Sequence, residues 1–337
     1  MTPALAPPPF VVAEPSQVGE ARRRVLELGA SAGLDPVEQG KLALVINELG
    51  TNLVKHAGTG VLLVQLLAGP VVEVLAVDRG PGMSSVADCF RDGFSTAGSP
   101  GTGLGAVGRL ASVVDVYSTR PGGTVIMARV GGGDRREEPR PRRAIEVGAL
   151  SVAKDGETVC GDAWAAADHP ETPALMVVDG LGHGVGAADA AHLATRAFQA
   201  VAHQPPGALV AAIHDALRGS RGAAVAVARL DRSRAVVTYA GIGNVAGAIV
   251  SGGTARHLVS NNGTAGHNAR RINEFTYPWS DDAVLVMHSD GLGSRWQLDQ
   301  YPGLVRHHPS VVAAVLYRDW SRGRDDVTVL AARVETT

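Results

Sequence analysis

The residues Asp-Gly-Leu-Gly end two apolar runs of this chain, in ALMVVDGLG at 174–182 and in AVLVMHSDGLG at 283–293. Short apolar runs bounded by glycine predict buried β-strands. Each predicted strand therefore ends in a carboxylate, Asp179 or Asp290. A carboxylate at the end of a buried strand is costly unless something neutralises it. The pattern indicates a site where both strand ends hold something positively charged.

Further acidic positions extend this pattern. Asp162 lies in GDAW, and the pair Asp325-Asp326 directly precedes a third apolar run, VTVLAARV. One such aspartate usually caps a turn or a helix, but four at strand ends indicate oxygen ligands that converge on hard cations. Two cations bridged by a carboxylate lower the pKa of a bound water and clamp a phosphoryl group. The sequence therefore predicts phosphate-ester hydrolysis in this part of the chain.

The motifs GDAW, VDGLGHG, SDGLGSRW and RDDVTVL resemble those of PPM-type serine/threonine phosphatases of the SpoIIE branch, especially the RsbX-like feedback phosphatases, over about residues 145–335. The resemblance implies a PPM-type α-β-β-α sandwich that binds two Mn²⁺ or Mg²⁺ ions. It also implies the metal ligands, which are Asp162, Asp179, the backbone carbonyl of Gly180, Asp290 and Asp325, with Asp326 as a further candidate.

This chain departs from the PPM pattern in two places. Many of these enzymes have a histidine directly after Asp-Gly, where this chain has Leu181, and His183 lies two residues further on. We therefore expect a structural role for His183 rather than a catalytic one. The basic residue that binds phosphate in larger relatives has no clear counterpart in the sequence, and Lys154 is not assigned to this role.

A break in composition separates this half of the chain from the first. Residues 131–143, GGGDRREEPRPRR, combine three glycines with mixed charges and two prolines. Such a segment cannot bury apolar surface and predicts a solvated linker. We expect one domain at 1–130, a linker at 131–144 and a second domain at 145–335. Strands dominate the second domain, with alanine-rich helices around 185–201 and 206–218, which is typical of a layered α+β fold.

Two motifs in the first half predict a nucleotide pocket. A helix predicted from Asp35 to about His56 places Glu48 and Asn52 on one face, because they are four residues apart. These side chains can orient an attacking hydroxyl and ligate magnesium, although alone they also fit a solvated helix face. The strand VVEVLAV then ends in DRGPG at 78–82, which suits adenine recognition or a plain turn.

A third motif is glycine-rich. FSTAGSPGTGLGAVGRLA, at 94–111, runs into a predicted helix, and glycines before a helix N-terminus leave N–H groups that bind phosphate. A dinucleotide-binding fingerprint would directly follow a strand, whereas here a long polar loop precedes the glycines. The chain also lacks GxxxxGK[ST], which excludes a P-loop ATPase.

In this order the three motifs resemble those of the Bergerat-fold (GHKL) ATPases, which include gyrase, Hsp90, histidine kinases and anti-sigma factors. NELGTNLVKHAGTG and DGFSTAGSPGTGLGAVGRL are most similar to RsbT-like serine kinases, over roughly residues 10–130. The resemblance implies an N-terminal α/β sandwich that binds ATP. It assigns the catalytic base to Glu48, Mg²⁺ to Asn52, adenine to Asp78 with Gly80 and Gly82, and the ATP phosphates to the loop that includes Gly101, Gly103 and Gly105.

Composition limits the partners. The chain has 31 basic and 33 acidic residues, a formal charge of -2, which favours neither nucleic acid nor a membrane surface as a partner. No signal peptide pattern or run of about 18 apolar residues is found, so we expect a cytoplasmic protein. The abundance of alanine, valine, glycine and arginine is typical of a GC-rich bacterium.

Together these features predict a bifunctional signalling protein in a sigma-factor partner-switching pathway of the stress response. A kinase domain would phosphorylate a serine or threonine of a STAS-domain anti-anti-sigma or stressosome-type protein, and a phosphatase domain would remove such phosphates. The alternative is an ATP-binding anti-sigma-type module that regulates the attached phosphatase without kinase activity. The sequence leaves the protein substrate, the upstream signal and homo-oligomer formation open.

Overall fold

The computed structural model describes residues 7–90, 103–132, 145–269 and 271–335. The chain forms two compact units, one at Pro9–Pro139 and the other containing Arg140–Thr337. The division between them falls within the segment predicted as a linker. No helix in the described ranges is long and apolar enough to cross a membrane.

The N-terminal unit is an α/β sandwich with one five-stranded antiparallel sheet in the order β1-β2-β3-β5-β4. Helices α1, α2 and α4 pack on one face of it, around a core of buried valine, leucine and isoleucine side chains. The elements are β1 Phe10–Val12, α1 Pro15–Ser31, α2 Pro36–Asn52, a π-helix at Leu53–Ala57, β2 Gly60–Leu67, β3 Val71–Val77, α3 Val86–Cys89, α4 Gly103–Leu110, β4 Val113–Thr119 and β5 Gly123–Gly131.

Helix α2 forms where the sequence predicts it. The carboxylate of Asp35 accepts hydrogen bonds from the N–H groups of Val37 and Glu38, at 2.8 and 2.9 Å, and a proline fills the first turn. Its buried side chains recur at helical spacing, at Leu42, Val45, Ile46 and Leu49. The α-helix ends at Asn52 rather than at His56, because the last predicted turn widens into the π-helix.

The C-terminal unit contains two five-stranded antiparallel sheets, ordered β13-β10-β9-β8-β7 and β12-β11-β14-β15-β6. Its elements are β6 Ile145–Val152, β7 Asp162–Ala167, β8 Ala174–Gly180, α5 Val185–Ala200, α6 Pro206–Ala216, β9 Ala223–Asp231, β10 Val236–Ile242, β11 Ala246–Ser251, β12 Thr254–Leu258, β13 Phe275–Pro278, β14 Val284–His288, α7 Pro309–Trp320 and β15 Val327–Val334.

The two sheets stack face to face, and helices cover their outer faces. Along β8, Leu175 and Val177 point into the core between the sheets, whereas Met176 and Val178 pack against α5 and α6. Helix α7 packs on β6 and β15 of the other sheet. Each fully buried side chain of this kind contributes roughly 1.5–3 kcal/mol to folding. The predicted α-β-β-α sandwich is confirmed, and it brings the C-terminal end of β8 close to that of β14.

Candidate active sites

In the β13-β10-β9-β8-β7 sheet of the C-terminal unit, strand pairing places Asp162 opposite Asp179, at the end where β7 begins and β8 ends. Cβ atoms of directly opposed residues lie about 4.5–5.5 Å apart, so the two charges repel. Burial is the main cause that raises the pKa of Asp162 well above its usual range, and the charge of Asp179 is the next largest. Burial, followed by the charges of Asp290 and Asp325, raises the pKa of Asp179 to about 7. The charges of these carboxylates therefore act on one another, and together they form the carboxylate cluster: Asp162, Asp179, Asp290 and Asp325.

Asp290 and Asp325 lie next to the other sheet of this unit, Asp290 in the turn after β14 and Asp325 in the turn before β15. The backbone N–H of Asp290 donates to the carboxylate of Asp179, and the side-chain amide of Asn244 donates to Asp290 Oδ2 at 2.6 Å. A Cβ at Gly291 would lie 2.0 Å from the carbonyl oxygen of Asp326. Only glycine therefore lets the turn after β14 approach the turn before β15 this closely.

Gly180, the predicted carbonyl ligand, is packed too tightly for any side chain. A Cβ there would lie 2.4 Å from the carbonyl oxygen of Ala187 and 2.7 Å from that of Gly161. Its N–H donates to the carbonyl of Gly161 at 3.1 Å. These contacts fix the backbone of Gly180 directly beside Asp179 and the Asp162 strand.

The donor set fits a hard divalent cation. The Oδ2 atom of Asp162 is buried without a hydrogen-bond partner, while the Ser289 side chain hydrogen bonds to the same carboxylate. A buried unpaired carboxylate oxygen among other acids is strongly unfavourable without positive charge. Within the described ranges no three His, Cys, Asp or Glu side chains stand at the spacing of a finished metal site.

Asp326 has a different environment from the other acids. Its Oδ1 accepts from the N–H of Lys154 and its Oδ2 from the N–H of Gly161, both at 2.8 Å. Burial raises its pKa despite these bonds. Asp326 therefore ties the loop after β6 to the start of β7, whereas its neighbour Asp325 is exposed. This geometry favours a positioning role for Asp326 over the role of a further ligand.

His183 lies on the loop between β8 and α5, with its ring half exposed. Its Nδ1 atom lies 2.5 Å from Oε1 of Glu157. The charge of His183 also acts on Asp326, which places the imidazole near the carboxylate cluster. Glu157 and Asn244 could not be predicted from the sequence, because neither follows an apolar run nor belongs to a spaced motif.

In the N-terminal unit, Glu48 and Asn52 face the start of α4. A Cβ at Gly103 would lie 3.2 Å from Glu48 Oε2 and 3.7 Å from Asn52 Oδ1. The helix therefore begins directly against this carboxylate and carboxamide, and Gly105 is buried in its first turn. Gly101 lies outside the described residues. The structure thus places Glu48 and Asn52 of the first motif next to Gly103 of the third motif.

Asp78 organises the second motif. Its Oδ1 accepts from the N–H of Gly80 at 2.8 Å and from the N–H of Thr124 at 3.1 Å. A Cβ at Gly80 would meet Ala57, the last residue of the π-helix, at 2.9 Å. At Gly82, where φ is +73°, a Cβ would meet the carbonyl oxygen of Thr119 at 2.1 Å. π-helical turns are frequent at functional sites, and this one connects Asn52 to the Asp78 corner.

Thr124 is a further residue of this corner that the sequence analysis missed. It is buried, and its hydroxyl lies 2.9 Å from that of Ser118. Its backbone pairs with Asp78 in both directions, since the N–H of Asp78 donates to the Thr124 carbonyl at 2.9 Å. The signal that could have identified it is Gly122-Gly123-Thr124 before an apolar strand.

A helix-covered sheet with these three motifs defines a Bergerat-type ATPase domain, and carboxylates at the ends of two stacked sheets define a PP2C-type phosphatase domain. Family models agree: a Histidine kinase-like ATPase domain matches residues 11–130, and Stage II sporulation protein E (SpoIIE) matches residues 169–335. The chain belongs to the histidine kinase-like ATPase family, as its similarity to RsbT shows for the N-terminal domain. Its C-terminal domain is of the SpoIIE-type PP2C class. The predicted resemblances and enzyme classes, a protein-serine/threonine kinase homologue and a PP2C-type phosphatase, are confirmed.

Two relatives are each similar to part of the chain. The chain is 32% identical over 111 residues to the serine/threonine-protein kinase RsbT of Bacillus subtilis (strain 168), covering 32% of this chain and 84% of that protein. A solved structure described as "The bacterial stressosome: a modular system that has been adapted to control secondary messenger signaling" is 28% identical, covers 56% of this chain and 99% of its own, and has a TM-score of 0.53.

A third relative concerns the fold alone. The structure of the PP2C phosphatase domain of Bacillus subtilis SpoIIE with a fragment of its regulatory domain is 16% identical and has a TM-score of 0.50. It covers 96% of this chain and 98% of its own. At this identity the likeness supports the architecture and carries no inference about substrates.

Proposed function

We propose that this chain is a bifunctional regulator in a sigma-factor partner-switching pathway. In this proposal the N-terminal unit transfers the γ-phosphoryl group of ATP to a serine or threonine of a STAS-domain protein. The C-terminal unit hydrolyses such phosphoesters. The similarity to RsbT and to a stressosome structure supports the choice of a STAS-domain partner. Joining both activities in one chain raises their effective concentration on a shared partner.

The phosphatase half of the proposal depends on the buried, unpaired Oδ2 of Asp162 inside the carboxylate cluster. Asp162, Asp179, Asp290, Asp325 and the carbonyl of Gly180 would hold two Mg²⁺ or Mn²⁺ ions. When bound, such ions supply positive charge that activates water and neutralises the phosphoryl group. Asn244 orients the carboxylate of Asp290, and Asp326 holds both ends of the β6–β7 connection, which leads into Asp162.

The kinase half depends on Glu48 and Asn52 at the start of α4. Glu48 would accept the proton of the substrate hydroxyl, and Asn52 would ligate the Mg²⁺ that accompanies ATP. The N–H groups of the first turn of α4 can bind phosphate oxygens, because Gly103 leaves the approach open. Asp78, oriented by Gly80 and Thr124, would accept the adenine amino group.

The test is a phosphotransfer assay with radiolabelled ATP and a STAS-domain protein, followed by release of the label after addition of Mn²⁺. We expect Glu48→Gln to abolish transfer while ATP still binds, and Glu27→Gln, on the exposed face of α1, to behave as wild type. Transfer that persists in Glu48→Gln would disprove the assigned base. ATP binding without any transfer by the wild type would instead favour the anti-sigma-type binding module. No release of label by the wild type would refute the phosphatase half.

A further inference from the structure

Arg221 lies beside the carboxylate cluster and has no role in the function proposed so far. It precedes β9 by two residues, and the first residue of β9, Ala223, pairs in register with Gly180. The carbonyl of Gly222 accepts from the N–H of Leu181 at 3.0 Å, and the carbonyl of Arg221 accepts from Nε2 of His267 at 2.9 Å. The backbone of Arg221 is therefore fixed next to the loop that follows the predicted ligands.

The guanidinium of Arg221 lies across two glycines of that loop and of α5. A Cβ at Gly186 would lie 2.6 Å from Nε and 2.7 Å from Cζ, and a Cβ at Gly182 would lie 3.4 Å from Nη1. Nη1 also donates to the carbonyl of His183 at 3.4 Å. A side chain at Gly186 would displace the guanidinium, whereas a Cβ at Gly182 would only contact it, so its position depends on the glycine at 186.

The charge of Arg221 has no acidic partner in the part of the chain that the structure describes. Arg218, in the same connection between α6 and β9, is paired instead and lies 3.1 Å from Asp215. Arg221 is exposed. An arginine held over a glycine loop with its charge uncompensated is prepared to bind an anion, and guanidinium groups match the geometry of phosphate oxygens.

We infer that Arg221 binds the phosphoryl group of the phosphoserine or phosphothreonine substrate at the mouth of the carboxylate cluster. This inference rests on the proposed phosphatase function. It supplies the basic phosphate-binding residue for which the sequence offered no clear counterpart. Within the described residues its guanidinium hydrogen bonds to the carbonyl of His183 and not to a predicted metal ligand, so its removal should weaken phosphate binding without changing metal binding.

The test uses the full chain with Mg²⁺ and compares Arg221→Ala and Arg221→Lys with Arg218→Ala as the matched control. We expect Arg221→Ala to raise the KM for p-nitrophenyl phosphate and the dissociation constant for inorganic phosphate about tenfold or more, as expected for lost hydrogen bonds to a charged group. Arg221→Lys keeps the charge but loses the fork of donors, so we expect a smaller rise of about threefold. Arg218→Ala should match the wild type, and calorimetry should give the same Mg²⁺ affinity for all four proteins.

Phosphate binding by calorimetry separates this inference from the proposed function. Unchanged phosphate affinity in Arg221→Ala would overturn the inference, whatever the enzyme activity. A change confined to phosphopeptide substrates, with p-nitrophenyl phosphate unaffected, would also overturn it, because Arg221 would then contact the protein substrate instead. Arg221-dependent phosphate binding by a wild type that hydrolyses nothing would support the inference and refute the phosphatase. If Arg221→Ala also lowers the melting temperature, the phosphate affinity of Arg221→Lys decides: a weaker affinity than that of the wild type supports the inference, and an unchanged affinity overturns it.

Discussion

Asp162 and Asp179 stand directly opposite each other on neighbouring strands; burial raises the pKa of each carboxylate, and the charge of Asp179 raises the pKa of Asp162 further. The sheet therefore folds against electrostatic repulsion at this point. The energy stored there is recovered when a cation binds, which is why such a cluster favours metal binding over stability of the metal-free protein.

Replacing Asp179 with asparagine should stabilise the metal-free protein and abolish the phosphatase. The substitution keeps the shape of the side chain and removes the repulsion with Asp162, so we expect the melting temperature in EDTA to rise by a few degrees. Magnesium should then raise it no further, whereas it stabilises the wild type. Differential scanning calorimetry with and without Mg²⁺ measures both effects. Asp215→Asn, on the surface of α6, serves as control, and a destabilised Asp179→Asn would contradict the repulsion.

The stability of the metal-free protein should fall as the pH rises toward 7. The pKa of Asp179 is raised to about 7 in the folded state, against about 3.9 when unfolded. Between these values the folded state holds a proton that the unfolded state has lost, so the contribution of this group to stability declines across the window and is constant above it. Urea denaturation in EDTA at several pH values measures the slope.

Two comparisons isolate the contribution of Asp179 to this pH dependence. The slope for Asp179→Asn should be shallower than that for the wild type, and saturating Mg²⁺ should flatten the wild-type slope. Equal slopes for both proteins in EDTA would show that Asp179 does not carry the effect.

The adjacent residues Asp325 and Asp326 should respond oppositely to alanine substitution. Asp326→Ala leaves the N–H groups of Lys154 and Gly161 without their acceptor, which should cost roughly 1–3 kcal/mol for each group left buried. Asp325→Ala removes an exposed carboxylate from the cluster, so stability in EDTA should stay unchanged or rise while Mg²⁺ affinity falls. Urea denaturation and Mg²⁺ calorimetry on the pair test this. Equal losses of stability would contradict the separate roles.

Sequence patterns predicted the elements that repeat locally. The run ALMVVD became β8, which ends one residue later than predicted, and the alanine-rich stretches became α5 and α6 to within two residues. DAWAAA became β7 without being predicted, because alanine carries no strand preference and only pairing with β8 decides its conformation. The π-helix after Asn52 was missed for a similar reason, since the change of hydrogen bonding leaves no mark on residue spacing.

Site residues divide in the same way. Asp179 and Asp290 could be predicted as candidates because each follows an apolar strand, and Glu48 and Asn52 because they share a helix face. Thr124 and Asn244 could not, since their contacts with Asp78 and Asp290 depend on chain segments far apart in sequence. Tertiary hydrogen bonds of this kind have no local pattern from which to predict them.

Two helical glycines should respond differently to alanine, and the difference tests the nucleotide site. At Gly103, a Cβ would lie 3.2 Å from Glu48 Oε2, so Gly103→Ala should crowd the carboxylate and weaken ATP binding about tenfold. At Gly40, on α2, nothing lies within 4 Å of the added Cβ, so Gly40→Ala should leave ATP affinity unchanged and stabilise the protein by about 1 kcal/mol. Titration with a fluorescent ATP analogue and urea denaturation measure the two quantities. If ATP binds Gly103→Ala as tightly as wild type, the start of α4 does not contact the nucleotide, because the methyl group occupies the approach that the phosphates would need.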